Sequence, residues 1–279
     1  MKQTRASNGL PFMKMHGLGN DFVVIDARAT EIAIPPDLAR RLADRNFGVG
    51  FDQLAVIEED AKGAAASLRF LNADGSASAT CGNATRCIAR FLMDETGAPD
   101  LTLRTERGLL AAEDAGNGMT RVNLGPPLLE WRDIPLAEEL DTLCLPIPGD
   151  PVATSMGNPH CTFFVEDAER TDITLLGEAH EAHRLFPERT NVEAVNVTGP
   201  RSLRVRVWER GAGVTLASGS CASAAAVAAI RCDLVESPVT VTLDGGELEI
   251  DWREDGVWMT GPTAHVFSGV LTSDFLEAT

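Results

Sequence analysis

Residues 81–92, CGNATRCIARFL, give the clearest prediction of the fold, because a short polar motif precedes a helical pattern of apolar residues. Cys81-Gly82-Asn83 is followed by apolar residues at helical spacing, and the pattern ends near Gly97, a typical C-terminal helix cap. Residues 218–230, SGSCASAAAVAAI, follow the same plan: Ser218-Gly219-Ser220 opens a run that is apolar or small on every side. Both stretches therefore predict helices, and the second is expected to be buried all round.

The sequence before each predicted helix also repeats. The matching positions are Asn20 and Asn158, Asn72 and Glu209, and Cys81 and Ser218. Asn20 lies 61 residues before Cys81. Asn158 lies 60 residues before Ser218. Asn72 lies nine residues before Cys81, and Glu209 lies nine residues before Ser218. An internal duplication is the simplest explanation, and it directs two equivalent helix starts towards one cleft. Such a cleft suits a reaction that needs an acid/base group on each side of one carbon.

The rest of the chain is predicted to be rich in strands. Runs of Val, Ile, Leu and Phe are typical of strands, and they lie at residues 22–26, 54–58, 67–72, 101–113, 119–124, 161–165, 192–197 and 203–208. Shorter helices are predicted at residues 37–45 and 178–185, and Asp244-Gly245-Gly246 predicts a hairpin turn. Strand-rich halves with one central buried helix each indicate an α+β fold, in which a mostly antiparallel sheet wraps around that helix.

Two pseudo-symmetric domains are predicted from this repeat. Gly125-Pro126-Pro127 interrupts the strand pattern and marks a boundary. The N-terminal half is predicted to span residues 1–126 and the C-terminal half residues 127–262, with the active-site cleft between them. The tail, residues 263–279, is expected to pack on the N-terminal half. A chain of 279 residues is long enough for two domains that each bury a core.

The composition argues against several classes of function. A net charge of −17 opposes binding to nucleic acid or to an anionic membrane surface. The longest aliphatic stretch, residues 224–230, is too short to cross a bilayer, and residues 1–12 lack the apolar core of a secretory signal. Six cysteines form no CxxC pair, which indicates reduced thiols and a cytoplasmic location. The chain has three lysines, and this scarcity argues against a pyridoxal Schiff base.

The two helix starts are the candidate catalytic positions. A cysteine just ahead of a helix gains from the helix dipole and from free backbone N–H groups, so we expect a lowered thiol pKa at Cys81. The N–H groups of Gly82 and Asn83 can hold a substrate carboxylate. A lone cysteine in this position is more often a buried small residue. The matching Ser218-Gly219-Ser220 favours a site, because packing does not readily explain two matching anion-holding helix starts.

Further polar residues lie at the ends of apolar runs, where side chains from different strands can converge. They are Asn20, Gln53, Asn72, Asn158, Asn191 and the pair Glu209-Arg210. Any one of them alone could serve only a turn or a surface ion pair. Arg210 offers a planar fork for a carboxylate, and His160 could set the protonation state of an acid/base partner. His180 and His183 lack the HExxH order of a metal site, so no metal is expected there.

Taken together, these motifs resemble the diaminopimelate epimerase family, and the resemblance covers nearly the whole chain. The matching segments are MHGLGNDF (15–22), GFDQ (50–53), NADGS (72–76), CGN (81–83), MGNPH (156–160), FPER (186–189) with Asn191, and ERGAG (209–213). The resemblance implies two similar domains around a cleft, often dimerised, and cofactor-free inversion of an amino acid α-carbon. The implied substrate is LL-2,6-diaminopimelate, converted to the meso form on the route to lysine and peptidoglycan.

The resemblance also assigns roles by position. The family uses two cysteines that flank the α-carbon: a thiolate removes the proton, and a thiol delivers one to the opposite face. Cys81 is one of them, and Ser218 stands where the other belongs. The carboxylate at the reacting carbon is assigned to the N–H groups of Gly82, Asn83, Gly219 and Ser220. The rest of the substrate is assigned to Asn20, Gln53, Asn72, Asn158, Asn191, Glu209 and Arg210, with His160 and Glu209 modulating the acid/base pair.

The serine at position 218 is the departure that matters, because a hydroxyl is a far weaker acid than a thiol. Proton removal on that face should be much slower, whereas Ser218 could still relay or donate a proton when Cys81 is the base. One interpretation is an epimerase weakened or disabled at one base, and another moves the second thiol to Cys221. The third is a relative with one-sided chemistry, such as a dehydratase or another amino acid isomerase, or a silent amino acid binder.

Overall fold

A duplicated arrangement of strands and helices builds the fold. A computed structural model describes residues 9–30 and 32–277, and within them seventeen strands form one continuous mixed sheet accompanied by five helices. The outer limits of the predicted halves, residues 1 and 279, lie outside the described residues, as does most of the stretch searched for a secretory signal. None of the helices in the described part of the chain is long and apolar enough to span a membrane.

The two halves contain the same elements in the same order. The first half comprises β1 (Leu10–Gly17), β2 (Asn20–Asp26), α1 (Pro36–Ala43), β3 (Gln53–Glu58), β4 (Ala66–Asn72), β5 (Ala77–Ser78), α2 (Gly82–Thr96), β6 (Asp100–Thr105), β7 (Gly108–Gly116) and β8 (Met119–Asn123). The second comprises β9 (Val152–Ser155), β10 (Pro159–Phe164), α3 (Ile173–His180), β11 (Asn191–Gly199), β12 (Ser202–Glu209), β13 (Gly213–Thr215), α4 (Gly219–Arg231), β14 (Val239–Leu243), β15 (Gly246–Arg253) and β16 (Gly256–Pro262). They are followed by β17 (Ala264–Leu271) and α5 (Ser273–Glu277).

The strand pairings of the two halves correspond as well. β2 pairs in parallel with β3 across α1, and β10 pairs in parallel with β11 across α3. β4 pairs in parallel with β6 across α2, and β12 does so with β14 across α4. The other pairings of named strands are antiparallel. The predicted α+β fold, a mostly antiparallel sheet repeated around a central helix, is confirmed.

The halves are joined by an antiparallel ladder between β8 and β16, in which Val122 lies opposite Met259. After this ladder the chain returns to the first half, where β17 pairs antiparallel along β1. Phe275 and Leu276 of α5 pack against the hydrophobic cluster that contains Leu42. The limits of the two domains, residues 1–126 and 127–262, stay a prediction.

The central helices α2 and α4 pack against one hydrophobic core that both halves share. Every residue from Cys221 to Ala229 of α4 is buried, so the prediction of burial all round is confirmed. Alanine predominates in this helix, and small side chains let strands from several sides approach it closely. A close fit of this kind fixes where each helix begins, and those beginnings form the site described below.

Residues 101–113, predicted as one strand, form two strands of a hairpin. β6 ends at Thr105, the chain turns at residues 106 and 107, and β7 begins at Gly108. Gly108 has a φ of +119°, which favours glycine. The prediction was wrong because apolar residues continue on both sides of the turn and a single glycine marks it.

The two short helices also differ from their predicted limits. α3 spans Ile173–His180 rather than residues 178–185. The Asp172 carboxylate caps it by accepting from the N–H groups of Thr174 and Leu175, both at 3.1 Å. α1 ends at Ala43 rather than residue 45, because the Asp44 side chain accepts from the N–H groups of Asn46 and Phe47 and turns the chain.

Candidate active site

A cavity of about 590 Å³ lies between the two halves. Its wall contains nearly all of the residues predicted from the sequence: Asn20, Gln53, Asn72, Cys81, Gly82, Asn83, Asn158, Asn191, Glu209, Arg210, Ser218, Gly219 and Ser220. His160 is the exception, since it is fully buried behind the wall. The convergence of these side chains from distant positions is a geometrical result, and their roles stay a prediction.

The two helix starts have the same local geometry. Cys81 caps α2, with Sγ accepting from the N–H of Ala84 at 3.4 Å. Ser218 caps α4, with Oγ accepting from the N–H of Cys221 at 3.5 Å. In both caps the side chain takes the third N–H of the helix, so the first two N–H groups stay available to a ligand.

The glycine in each helix motif is required by close packing. A Cβ atom at Gly82 would lie 3.1 Å from Cε of Met259, and one at Gly219 would lie 2.9 Å from Sδ of the same residue. One methionine side chain therefore packs against both helix starts. A side chain at either glycine would therefore require the end of the Met259 side chain to shift.

Amide side chains fix the second residue of each helix start. In the first half, Nδ2 of Asn83 donates to Oδ1 of Asn20 at 3.2 Å. In the second half, Nδ2 of Asn158 donates to Oγ of Ser220 at 3.3 Å. The Gly-Asn motifs, which open β2 in one half and precede β10 in the other, thus support the helix starts on which the repeat was recognised.

The strand ends meet in a second pair of hydrogen bonds. Nε2 of Gln53 donates to Oδ1 of Asn72 at 2.9 Å, which ties the start of β3 to the end of β4. The backbone N–H of Arg210 donates to Oδ1 of Asn191 at 2.9 Å, which ties β11 to the end of β12. These residues were predicted to converge, and the parallel β2–β3 and β10–β11 pairs bring them to the cavity.

The expected low pKa of the Cys81 thiol is wrong. Burial raises the pKa to about 12, and the negative charge of Glu209 adds to the rise. The N–H of Ala84 and the positive charge of Arg86 act in the opposite direction. Desolvation by the surrounding protein outweighs the helix start, and that burial depends on residues far away in the sequence.

Glu209 lies beside Ser218 at the cavity wall. Burial raises the pKa of its carboxyl, whereas hydrogen bonding from Thr215 and Ser218 opposes the rise. The Thr215 hydroxyl donates to Oε1 of Glu209 at 2.6 Å. The site therefore places a carboxyl group that resists ionisation near the Ser218 hydroxyl.

His160 acts on the cavity through Asn158. Nδ1 of its ring lies 2.6 Å from Oε1 of Glu193, and Nε2 lies 3.0 Å from Oδ1 of Asn158. Glu193 also accepts from the Thr162 hydroxyl at 3.1 Å, and both His160 and Glu193 are fully buried. Glu193 was not predicted from the sequence, because a charged residue in a strand is ordinarily expected to face solvent.

Cys221 belongs to this buried network. Ligand-type atoms of His160, Glu193 and Cys221 all lie within 4.8 Å of one another, the spacing of a possible metal group. His160 and Glu193 are already paired by hydrogen bonds. Burial raises the pKa of the Cys221 thiol well above its usual value, and the residue is not part of the cavity wall. The alternative in which Cys221 supplies the second thiol therefore lacks access to a bound substrate.

Arg86 is a second buried charged residue that was not predicted from the sequence. Its fully buried guanidinium donates to the carbonyl of Pro262 at 3.2 and 3.1 Å and to Oδ1 of Asn83 at 2.9 Å. It forms no salt bridge with any residue from 9–30 or 32–277. Its uncompensated charge lowers the pKa of Cys81. The sequence offered one indication of Arg86: it lies little more than one turn into the helix that begins after Cys81.

Arg107 is the third residue of the site that was not predicted from the sequence. It lies in the turn between β6 and β7, lines the cavity and donates to the carbonyl of Met156. A Cβ atom at Gly157 would lie 2.6 Å from Nε of Arg107, so this glycine lets the guanidinium pass close to the opposite half. No described acidic side chain pairs with it, which leaves its charge available to a ligand.

Comparison with known proteins agrees with this geometry. The sequence matches the family model described as diaminopimelate epimerase over residues 12–129 and 152–266. A diaminopimelate epimerase from Acidiphilium cryptum is 53% identical over 271 residues, which cover 95% of this chain and 98% of the relative. Another from Rhodospirillum centenum is 47% identical over 271 residues, with 95% and 93% covered.

A solved structure shares the fold at much lower identity. A probable proline racemase from Agrobacterium radiobacter has a TM-score of 0.71 and 14% identity, and the match covers 96% of this chain and 94% of that one. This likeness shows the fold alone. Because the family model spans most of the sequence and relatives about half identical align along nearly its whole length, the chain belongs to the diaminopimelate epimerase family.

Proposed function

We propose that the protein is a diaminopimelate epimerase, which interconverts the LL and meso forms of 2,6-diaminopimelate by proton transfer without a cofactor. The observation that carries this proposal is the pair of equivalent helix starts at one cavity, capped by Cys81 and Ser218. The relatives described above are named for this activity. A cavity of about 590 Å³ is of the size that holds a small molecule.

The carboxylate at the reacting carbon binds between the two helix starts. Gly82 and Asn83 offer the first two N–H groups of α2, and Gly219 and Ser220 offer those of α4. Two helix dipoles and these N–H donors favour a negative charge at this point. The same groups stabilise the electron pair that proton removal leaves, because that charge spreads into the carboxylate.

The far end of the substrate carries a second carboxylate and a second ammonium group. Arg210 at the end of β12 and Arg107 in the β6–β7 turn offer guanidinium groups to the carboxylate. Side-chain oxygens of Asn72 and Asn191 lie at the wall and can accept from an ammonium group. Asn20, Gln53 and Asn158 hold the frame of the cavity through the hydrogen bonds described above.

Cys81 is the base on the first face. The α-ammonium group of the substrate brings a positive charge to the thiol and so opposes the rise in pKa that burial causes. When the thiolate removes the α-proton, the C–H bond breaks and an S–H bond forms. Ser218 supplies a proton to the opposite face, and it does so more slowly than a thiol would.

Exchange of the α-proton with D2O tests this assignment. LL- and meso-diaminopimelate are incubated separately with the protein, and NMR follows the loss of the α-proton signal. We expect faster exchange from the stereoisomer whose α-proton faces Cys81. Cys81→Ala should abolish that exchange, whereas Cys144→Ser, at an exposed cysteine outside the cavity, should leave it unchanged. Equal fast exchange from both stereoisomers contradicts the assignment.

A second candidate is one-sided chemistry or amino acid binding alone, and the hydroxyl at position 218 favours it. Exchange on the Cys81 face without formation of the other stereoisomer would support a one-sided isomerase or dehydratase. Measurable binding of diaminopimelate without exchange on either face would support a silent binder. Recovery of fast reaction in both directions by Ser218→Cys would support the epimerase.

We also propose that the protein is a cytoplasmic homodimer. Val266, Phe267 and Val270 on β17 are large apolar side chains that are exposed, and such exposure supports self-association. All six cysteines are free, as expected in a reducing compartment. Sedimentation velocity tests the dimer: Phe267→Ser should shift the protein towards monomer, and a wild-type protein that stays monomeric contradicts it. The net charge of −17 argues against a nucleic acid partner.

A further inference from the structure

We propose that Asp52 is a positioning residue for the first helix start: its carboxylate orients the side-chain amide of Asn20, and Asn20 in turn holds Asn83 in place. This role rests on the proposed epimerase function and adds to it a residue that is neither a helix cap nor an N–H donor of a helix start. Asp52 lies immediately before β3, and it lines the cavity together with Asn20 and Asn83.

Three side-chain hydrogen bonds connect Asp52 with the helix that Cys81 caps. Nδ2 of Asn20 donates to Oδ2 of Asp52 at 2.9 Å, and Oδ1 of the same amide accepts from Nδ2 of Asn83 at 3.2 Å. Oδ1 of Asn83 accepts from Nη1 of Arg86 at 2.9 Å. Each group donates to the next in one direction, from the buried guanidinium to the carboxylate.

The charged groups at the two ends fix the orientation of both amides. A carboxylate only accepts hydrogen bonds, so the NH2 group of Asn20 must face Asp52 and its oxygen must face Asn83. A guanidinium only donates, so the oxygen of Asn83 must face Arg86 and its NH2 group must face Asn20. Turning either amide over would bring two donors or two acceptors together. Asp52 therefore determines, with Arg86, the direction of the whole chain of hydrogen bonds.

Asp52 is itself held on both carboxylate oxygens. Oδ1 accepts from Nη2 of Arg45 at 2.8 Å, whereas Oδ2 accepts from Asn20 and also from the backbone N–H of Asp21 at 3.1 Å. The backbone N–H of Asp52 donates to the carbonyl of Asp21 at 3.0 Å. These contacts tie the loop before β3 to the start of β2, where Asn20 lies.

The second half orients its equivalent amide in the opposite direction. Nδ2 of Asn158 faces the helix start and donates to Oγ of Ser220 at 3.3 Å, whereas Oδ1 lies 3.0 Å from Nε2 of His160. Thr190 stands at the position of Asp52, immediately before β11. A carboxylate thus orients the amide in one half, and an imidazole contacts the amide oxygen in the other.

The orientation of these amides matters for the carboxylate of the substrate. In the proposed function this group binds to the first two N–H groups of α2, which belong to Gly82 and Asn83. The side chain of Asn83 is held between Asn20 and Arg86, and this contact restrains its backbone N–H as well. Without Asp52 the amide of Asn20 can rotate, so the helix start is held less firmly and binds the carboxylate less well.

Asp52→Ala tests this role by removing the acceptor for Asn20. We expect the KM for diaminopimelate to rise about tenfold, the scale of one hydrogen bond to a charged group. Proton transfer is slow with a serine at position 218, so KM reports affinity and kcat should change less. The matched control is Asp60→Asn, at a carboxylate that pairs with Arg104 at 2.5 Å outside the cavity, and it should leave KM unchanged.

The Arg45→Ala background separates the hydrogen bond from the charge of Asp52. An asparagine at position 52 has one side-chain oxygen, and without the guanidinium of Arg45 this oxygen is free to face Asn20. In this background Asp52→Asn should keep KM within about threefold of the Arg45→Ala value, whereas Asp52→Ala should raise it about tenfold. Thermal melts of each variant verify that the fold is retained.

Two results would overturn the role of Asp52 while leaving the epimerase function intact. One is an unchanged KM in Asp52→Ala. The other is an equal KM for Asp52→Asn and Asp52→Ala in the Arg45→Ala background, which assigns the effect to charge or stability. If the natural protein binds diaminopimelate without epimerising it, the epimerase function fails, and dissociation constants from calorimetry test Asp52 in the same variants. Absence of binding to the natural protein overturns both.

Discussion

The starts of α2 and α4 share one backbone design and differ in the charges around it. Each begins with a capping side chain that accepts from the third N–H, and each has a glycine packed against Met259. In the first half, the charge of a buried cation, Arg86, acts on the Cys81 thiol. The other half has Ser223 at the equivalent position of α4 and a carboxyl group, Glu209, beside its hydroxyl.

The difference separates two tasks. The backbone at both helix starts is complementary to an anion, so the binding of a carboxylate does not depend on which side chain caps the helix. The side chains decide how each face moves a proton. A cation favours a thiolate, which is a base, whereas the hydroxyl at the other helix start is a far weaker acid than a thiol.

The largest expected effect comes from making both caps hydroxyls. Cys81→Ser replaces the thiol with a hydroxyl, a far weaker acid and a poorer base at this position, so we expect the epimerase rate to fall by about 10³- to 10⁴-fold. Optical rotation or stereospecific NMR measures the rate. A variant that keeps more than about a tenth of the natural rate would show that Cys81 is not the base.

Making both caps thiols is the reverse test. Ser218→Cys should raise exchange on the second face by about 100-fold, because a thiolate is accessible there and an alkoxide is not. Exchange on the Cys81 face should change little. If the second face stays slow, the surroundings of α4 rather than its capping atom limit the reaction.

Arg86 is expected to affect the charge of Cys81 and not that of the other helix cap. Arg86→Met should raise the pKa of the Cys81 thiol, and Arg86→Lys should restore it in part, because a cation near the thiol stabilises its anion. The rate of iodoacetamide labelling against pH, read for the Cys81 peptide by mass spectrometry, measures this pKa. Labelling of the exposed Cys144 is the internal control. An unchanged profile would contradict the asymmetry between the two helix starts.

Gly219→Ala tests the packing that the two helix starts share. The new Cβ would lie 2.9 Å from Sδ of Met259, so we expect a loss of about 1–3 kcal/mol in the free energy of unfolding and a higher KM. Urea unfolding and steady-state kinetics measure the two effects. Met259→Ala in the same chain should relieve the contact, and a double variant as impaired as Gly219→Ala would rule out this cause.

The smallest expected effect is on stability against pH. The pKa of Glu209 is raised in the folded protein, so its contribution to stability is complete at low pH and is lost as pH rises through that pKa. Glu209→Gln does not titrate, so its stability relative to the natural protein should improve from pH 4 to pH 7. Urea unfolding at both values measures the change. A relative stability that falls over this range would contradict the raised pKa.

The main elements could be predicted from the sequence because their signals are local. The helix that follows Cys81 and the one that follows Ser218 have caps, apolar periodicity and a repeated order, and both lie where they were predicted. The polar side chains at strand ends converge on the cavity because parallel pairs in each half align those ends.

The missed residues depend on long-range burial. Arg86 and Glu193 are charged side chains inside the core, and no local pattern distinguishes them from surface charges. The pKa of Cys81 was misjudged for the same reason, since the helix start is visible in the sequence and the desolvation is not. Arg107 was not predicted because it lies in the turn between β6 and β7, and residues 101–113 were predicted to form one strand without a turn.

The ladder between β8 and β16 has a mechanical consequence for the reaction. Met259, which touches both helix starts, lies on this ladder opposite Val122. If the two halves rotate about this ladder, the helix starts at Cys81 and Ser218 move little, because they lie close to the axis of rotation. Side chains that lie farther from the ladder travel more. Substrate can thus enter and leave by a motion of the rim, while the spacing of the two proton-transfer groups stays nearly constant.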